Sequence, residues 1–125
     1  MLALEADAGT DKVYETRYLG SPDGHARFVQ LAGLLAPLGI DAASGDAFGG
    51  ADVSPMRKLG VPTIDLAQDF SRYFDLHHTA NDTLEGVNSA GLAQAAAAFA
   101  TVAWWAAEMD GDFGRVPENK RTLKW

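Results

Sequence analysis

The side chains with the widest chemical reach are two adjacent imidazoles and a few aspartates. His77 and His78 lie in the run Tyr73-Phe74-Asp75-Leu76-His77-His78-Thr79-Ala80-Asn81-Asp82-Thr83. An imidazole can ligate a metal or carry a proton near neutral pH. Consecutive residues rarely turn both rings to one ion, so the pair offers one ligand at most, and a hydrogen-bonded structural histidine is the competing reading. The third histidine, His25, falls in the first turn of a predicted amphipathic helix and reads as a solvated surface group. The chain has no cysteine, which excludes thiolate ligands, disulfides and a thiol nucleophile, so any metal must be held by His, Asp or Glu. Asp7 follows Leu2-Ala3-Leu4-Glu5-Ala6, and Asp52 follows Gly49-Gly50-Ala51. Both could converge with His78 if their strands are neighbours. Taken singly, each is also explained as a cap, a turn residue or a surface acid, and Asp52 stands just before Ser54-Pro55, where a helix start accounts for it.

The elements that must position these groups alternate between strand and helix patterns. Met1 to Glu5 is a short apolar run, as a buried strand would be, and it ends in the polar stretch Asp7 to Asp11. Val13 to Leu19 carries β-branched and aromatic residues and is expected to be an edge strand or a loop, closed by Gly20-Ser21-Pro22. Ser21-Pro22 is a helix-start signal, because the hydroxyl can accept from an orphan N–H and proline there needs no donor of its own. That helix runs to about Ala36, with Phe28, Leu31, Ala32 and Leu35 on one face. Ser54-Pro55 repeats the device for a brief helix to about Leu59. Val61 to Leu66 reads as a strand with Pro62 at its beginning, followed by a polar loop from Gln68 to Asn88 that holds the histidines. Ligand sites in open α/β sheets gather at the carboxyl ends of strands, which favours this loop. Asn88 caps a helix from Ser89 to about Met109, with Leu92, Ala95, Phe99, Val102, Ala103, Ala106 and Met109 on one stripe. The tail from Asp110 to Trp125 is expected to be poorly ordered.

At 125 residues, with 10 Lys+Arg against 17 Asp+Glu and a formal charge of −7, the chain suits one soluble acidic domain. Such a surface is a poor match for nucleic acid or anionic lipid. Glu5 and Asp7 interrupt the opening apolar residues before a signal peptide could form. Ala90 to Ala107 is alanine-rich and contains Gln94 and Thr101, so it reads as a buried helix and not as a membrane span.

Four stretches, taken in order, resemble the M28 family of zinc peptidases. They are Glu5-Ala6-Asp7-Ala8-Gly9-Thr10, Gly49-Gly50-Ala51-Asp52-Val53-Ser54-Pro55, Gly60-Val61-Pro62-Thr63-Ile64-Asp65-Leu66, and Tyr73 to Leu84 followed by the alanine-rich helix. The likeness is greatest to the plasma glutamate carboxypeptidase (carboxypeptidase Q) branch and its bacterial relatives. It implies an α/β fold, part of an α/β/α sandwich around a mixed sheet of the zinc-peptidase/phosphorylase-hydrolase kind. Residues 1–109 would be the C-terminal portion of the catalytic domain, with the N-terminal half absent, and residues 110–125 an irregular tail.

The resemblance further implies two zinc ions sharing a bridging aspartate. Asp7 would be a terminal ligand of one and His78 the imidazole ligand of the other, while His77 would contact substrate or the oxyanion. Asp82 and Thr79 would fix the ring of His78 through its other nitrogen. Gly49, Gly50 and Asp52 would shape the loop. Two metals lower the pKa of a bridging water and polarise the scissile carbonyl, and a glutamate moves the proton. In the family that glutamate, its neighbouring Glu ligand, the first His ligand and the bridging Asp all precede the position of Asp7, and none is recognisable here. The expectation is zinc exopeptidase chemistry on small peptides, with this chain inactive and weakly zinc-binding alone. The alternative is a non-catalytic partner-binding domain on the same scaffold, since an open strand edge and an apolar helix face invite a partner, either as a homodimer or through the missing N-terminal half. Family members are commonly exported, which implies a secreted or periplasmic setting. Aminopeptidase against carboxypeptidase specificity stays open.

Overall fold

The computed structural model describes residues 1–122. Its sheet is mixed and is built around strand β1 (Val13–Leu19), which pairs in parallel with the short β2 (Asp41–Ala42) and antiparallel with β3 (Thr63–Gln68), in the order β2-β1-β3. β1 is thus the centre of the described sheet and not the edge strand or loop expected from its sequence. Its register explains why. Thr16 and Tyr18 face Leu66 and Ile64 across the antiparallel ladder, on the apolar side, while Glu15, Arg17 and Leu19 pair with Ala67, Asp65 and Thr63 on the other. Partial alternation reflected two different faces, one of them charged.

The apolar face is covered by α1 (His25–Leu35) and α4 (Ser89–Glu108). Phe28, Leu31 and Leu35 of α1 meet Ala95, Ala98 and Val102 of α4 over Tyr18, Ile64 and Leu66. Ser21 Oγ accepts from Gly24 N at 3.0 Å, so the expected cap forms, although the regular helix starts only at His25. α4 begins as expected, with the Asn88 side chain accepting from Gly91 N at 3.0 Å. Its buried stripe is Gly91, Ala95, Ala98 and Val102, whereas Leu92 and Trp104 are 47% and 60% exposed. Ala95 and Val102 of the expected stripe are thus buried, and Phe99, Ala106 and Met109 pack against the same core, but the centre of the buried face is shifted toward Gly91 and Ala98, because small residues let the helix lie close to the sheet. By length and composition alone α4 is long and apolar enough to cross a membrane. Gln94 carries its amide inward from α4 and is satisfied there: it accepts from Val13 N at 2.9 Å and donates to Val13 O at 2.7 Å, beside the irregularity between Val13 and Glu15, whereas the buried indole nitrogen of Trp105 in the same helix has no hydrogen-bond partner among the described residues.

The segment leading into α2 (Gly50–Lys58) crosses the charged face, where Asp65 accepts from Phe48 N and Gly49 N at 2.6 and 2.8 Å. α2 starts four residues before the expected Ser54, because its N-terminus is capped from a distance. The Glu5 carboxylate accepts from Asp52 N at 2.8 Å and Val53 N at 3.1 Å. Gly50 has φ +80°, and a Cβ there would fall 2.4 Å from Glu5 Oε2. Pro55 then lies inside the helix, and the carbonyl of Ala51 that its missing N–H would have served accepts instead from Ser54 Oγ at 3.1 Å. The tail also departs from expectation. Phe113 and Val116 are buried, Tyr18 Oη donates to Phe113 O at 2.8 Å, and Val116 N donates to Gly60 O at 3.0 Å. Apolar anchors overrode the polar composition around them; residues 123–125 of that tail lie outside the described residues.

Candidate functional site

Ala3 forms a parallel bridge to Thr63, with Ala3 N donating to Pro62 O at 2.9 Å and Ile64 N to Ala3 O at 3.1 Å. Because the two segments run parallel, they deliver Asp7 and the residues after Gln68 to the same end of the sheet. There the loop beyond Asp7 is pinned from three directions. Gln68, only 3% exposed, donates from Nε2 to Gly9 O and Asp11 O at 3.0 Å each. Arg72 meets the Asp11 carboxylate with two nitrogens at 3.0–3.2 Å, a charge-assisted pair. Asn88 donates from Nδ2 to Asp11 Oδ1 and from its backbone N to Thr10 Oγ1, both at 3.0 Å. Gly91 permits this approach of α4, since a Cβ there would lie 2.5 Å from Thr10 O. The result is a cleft of about 310 Å³ lined by Asp7, Tyr73, His77, His78, Asp82 and others.

The histidines are presented by a turn. The short helix α3 (Tyr73–Leu76) stops at His77, whose φ and ψ are −53° and 118°, and His78 comes next with φ +56°. Thr79 N donates to Leu76 O at 3.0 Å. These are the marks of a type II turn, in which the third residue must take positive φ and is ordinarily glycine or asparagine. His78 is the one non-glycine residue with positive φ among the described residues, a conformation in which residues other than glycine are uncommon and which costs of order 1 kcal/mol. The turn aims the Cα–Cβ bond of His78, and the rings beyond it are stacked: Tyr73 on His77 with centroids 4.5 Å apart and 18° between planes, His77 on His78 at 3.8 Å and 26°. Burial pushes the Tyr73 phenol above its ordinary pKa, with the Asp7 carboxylate adding to the effect.

No protein-family model matches the chain. It is similar to Carboxypeptidase Q of Rattus norvegicus, 34% identical over 109 residues, and of Homo sapiens, 31% identical, each covering 87% of this chain and 23% of the relative. A crystal structure of a Peptidase M28 precursor from Shewanella amazonensis has a TM-score of 0.87 with 38% identity, covering 93% of this chain and 26% of that one. The chain is related to the M28 peptidases and carries part of their fold. It spans about a quarter of the length of these relatives, and its α/β architecture with a mixed sheet is the one expected.

Within this segment the structure brings Asp7, His77, His78 and Asp82 to one cleft. Asp7, His78 and Asp82 are exposed and His77 is half-buried. Thr79 works on the turn: its Oγ1 donates to Leu76 O at 2.9 Å and accepts from Asn81 N at 3.1 Å. It thus steadies the backbone that carries His78. Asp52 does not join the cleft and sits exposed in the first turn of α2. His25 is exposed against the edge of Tyr18. Sequence reasoning passed over Arg72, Asp11, Gln68 and Tyr73. Only Tyr73 left a signal, its spacing of four from His77 across one helical turn. A carboxylate and an imidazole opening on one cleft suit zinc by donor chemistry. Among the described residues, however, no three His, Asp or Glu side chains come together as a ligand set, so the fit is that of a partial site.

Proposed function

We propose that this chain is one part of a zinc-dependent exopeptidase of M28 type acting on small peptides, with Asp7 ligating one of two zinc ions and His78 the other. The observation that carries the reading is the cleft itself: two donors far apart in the sequence share it, and the Asp11–Arg72–Asn88 clamp ties their loops together. Zinc bound there would supply a polarised carbonyl and a bound water of lowered pKa. The chain's own residues supply the carboxylate, the imidazole and, in His77, a ring on the cleft wall for the substrate's carbonyl oxygen. Asp82 lines the same wall and accompanies His78. Glu5, the glutamate nearest Asp7, is occupied as the cap of α2, so the proton-moving carboxylate belongs elsewhere, as do the remaining zinc donors. The chain alone therefore binds zinc weakly and does not turn over peptides, and the complete enzyme works outside the cytoplasm, as family resemblance implies.

The test grafts this chain in place of the segment it matches in the Shewanella amazonensis protein and assays dipeptide hydrolysis with added zinc. Zinc-dependent hydrolysis that falls at least about 100-fold in Asp7→Ala and His78→Ala is expected, the size typical of lost metal ligation or electrostatic stabilisation. Full activity in both variants refutes the ligand assignment. Robust zinc-dependent turnover by the ungrafted chain refutes its incompleteness. A second reading, a partner-binding domain on the same scaffold, draws on the exposed Leu92 and Trp104 of α4. Sedimentation across a concentration range separates the two, a purely monomeric chain speaking against it.

A further inference from the structure

Tyr73 belongs to no predicted set, yet it occupies a distinctive place. It lines the cleft of Asp7 and His78, and it also lines the neighbouring cleft over the charged face of the sheet, which it shares with Asp7, Phe48 and Phe70. Its backbone carbonyl accepts from His77 N at 2.7 Å, closing the last turn of α3. Its ring lies almost flat on His77, and His77 lies on His78, so the three rings form one stack. Phe70 and Phe74 also contact the Tyr73 ring, tilted and edge-on, with centroids 4.9 and 5.1 Å away.

The physical consequence depends on which degrees of freedom the turn fixes. Positive φ at His78 sets the direction of its Cα–Cβ bond. It leaves the ring free to rotate about χ1 and χ2, and His78 has no described hydrogen bond from its ring to lock that rotation. An exposed imidazole that samples several rotamers pays entropy on ligating an ion, and groups that orient a ligating histidine are commonly worth 10- to 100-fold in metal affinity. Here stacking takes the place of the usual hydrogen bond. We infer that Tyr73 is a positioning residue, which through the flat face of His77 holds the His78 imidazole in its ligating orientation. This rests on the proposed role of His78 and adds to it the means by which the ring is preorganised.

The experiment is proton–nitrogen NMR of the imidazole rings in the intact 125-residue chain, first without metal and then through a zinc titration. Tyr73→Ala and Tyr73→Phe are compared with the unsubstituted chain. In metal-free Tyr73→Ala the ring protons of His77 are expected to move downfield as the shielding of the overlying ring is lost, and those of His78 to move toward rotamer-averaged positions. Tyr73→Phe, which keeps the flat face, is expected to restore both sets. In the titration, zinc binding at His78 is expected to weaken roughly tenfold in Tyr73→Ala and to recover in Tyr73→Phe. Backbone amide shifts of β1 and β3 report whether the fold survives, and should Tyr73→Ala unfold the chain, Tyr73→Leu replaces it with the same expectations. Unchanged histidine ring shifts in a folded Tyr73→Ala chain overturn the inference, as does failure of phenylalanine to rescue. If the metal-free shifts behave as expected but zinc leaves the His78 ring untouched, the stack stands and the zinc assignment of His78 falls.

Discussion

The positive φ of His78 offers a test that needs neither metal nor substrate. His78→Gly and His78→Ala delete the same imidazole and the same stack on His77, so the two variants differ only in what their backbones tolerate at φ +56°. Alanine there keeps a strained left-handed conformation costing roughly 1–2 kcal/mol. Glycine escapes that cost but gives back about 0.5–1 kcal/mol through the larger entropy of its unfolded chain. The glycine variant is therefore expected to be more stable by roughly 0.5–1 kcal/mol, or about 3 °C in Tm for a domain of this size. Urea unfolding followed by circular dichroism measures it, provided the two variants share one m-value. His78→Asn should fall between them, since asparagine tolerates this region better than alanine. If alanine is as stable as glycine, the turn is not what holds His78, and the argument that the backbone aims its side chain fails.

Other perturbations probe the supports of the site and fold. Arg72→Ala is expected to cost about 1 kcal/mol, discounted because the arginine is 46% exposed, and to speed amide exchange at Asn88, whose partner Thr10 lies in the released loop. Glu5→Ala should remove about 1 kcal/mol, the usual value of a cap, with faster exchange at the amides of Asp52 and Val53. Tyr18→Phe removes a phenol that donates to Phe113 O and lies 3.0 Å from Ser21 O, at a cost of about 1 kcal/mol. Burial raises the pKa of Tyr18, so its contribution is complete below the ordinary tyrosine value of about 10 and is lost as pH rises through the folded value; Tm scans from neutral to strongly alkaline pH should show a fall that Tyr18→Phe lessens. Asp69 behaves oppositely. The Ser71 N–H at 2.8 Å holds its carboxyl below the usual range, so its stabilisation is present above that range and lost as pH falls, and Asp69→Asn should flatten the acid side of the same scans.

Some of this architecture was open to reading from the chain alone, and the reason is distance along it. Asn88 announced α4 because the group it caps, Gly91 N, is three residues away. Ser21 announced the turn into α1 for the same reason, with Gly24 N as its partner. The strand from Val61 was legible from its β-branched run, and Asp7 stood out as a donor at a strand end and His78 as one in the loop that follows a strand. Local hydrogen bonds and side-chain periodicity are properties of a few consecutive residues, so a sequence carries them openly.

What escaped was whatever depended on a distant partner. β1 could not be recognised as central before β2 and β3 came to its two edges. Glu5 could not be seen capping α2, nor Gln94 serving Val13, because the pairs lie 47 or 48 and 81 residues apart. The tail from Asp110 looked loose until Phe113 met Tyr18 and α1. At the site the division is sharpest. Residue types by themselves determined that any metal here would take carboxylate and imidazole and never thiolate. Tertiary structure alone decided that Asp7 and His78 face one cleft, that Arg72 and Asn88 close on Asp11 to keep it so, and that Tyr73 lies flat against His77. Those contacts exist only once parallel segments carry the two loops to the same end of the sheet, and that outcome is set by packing of the whole core.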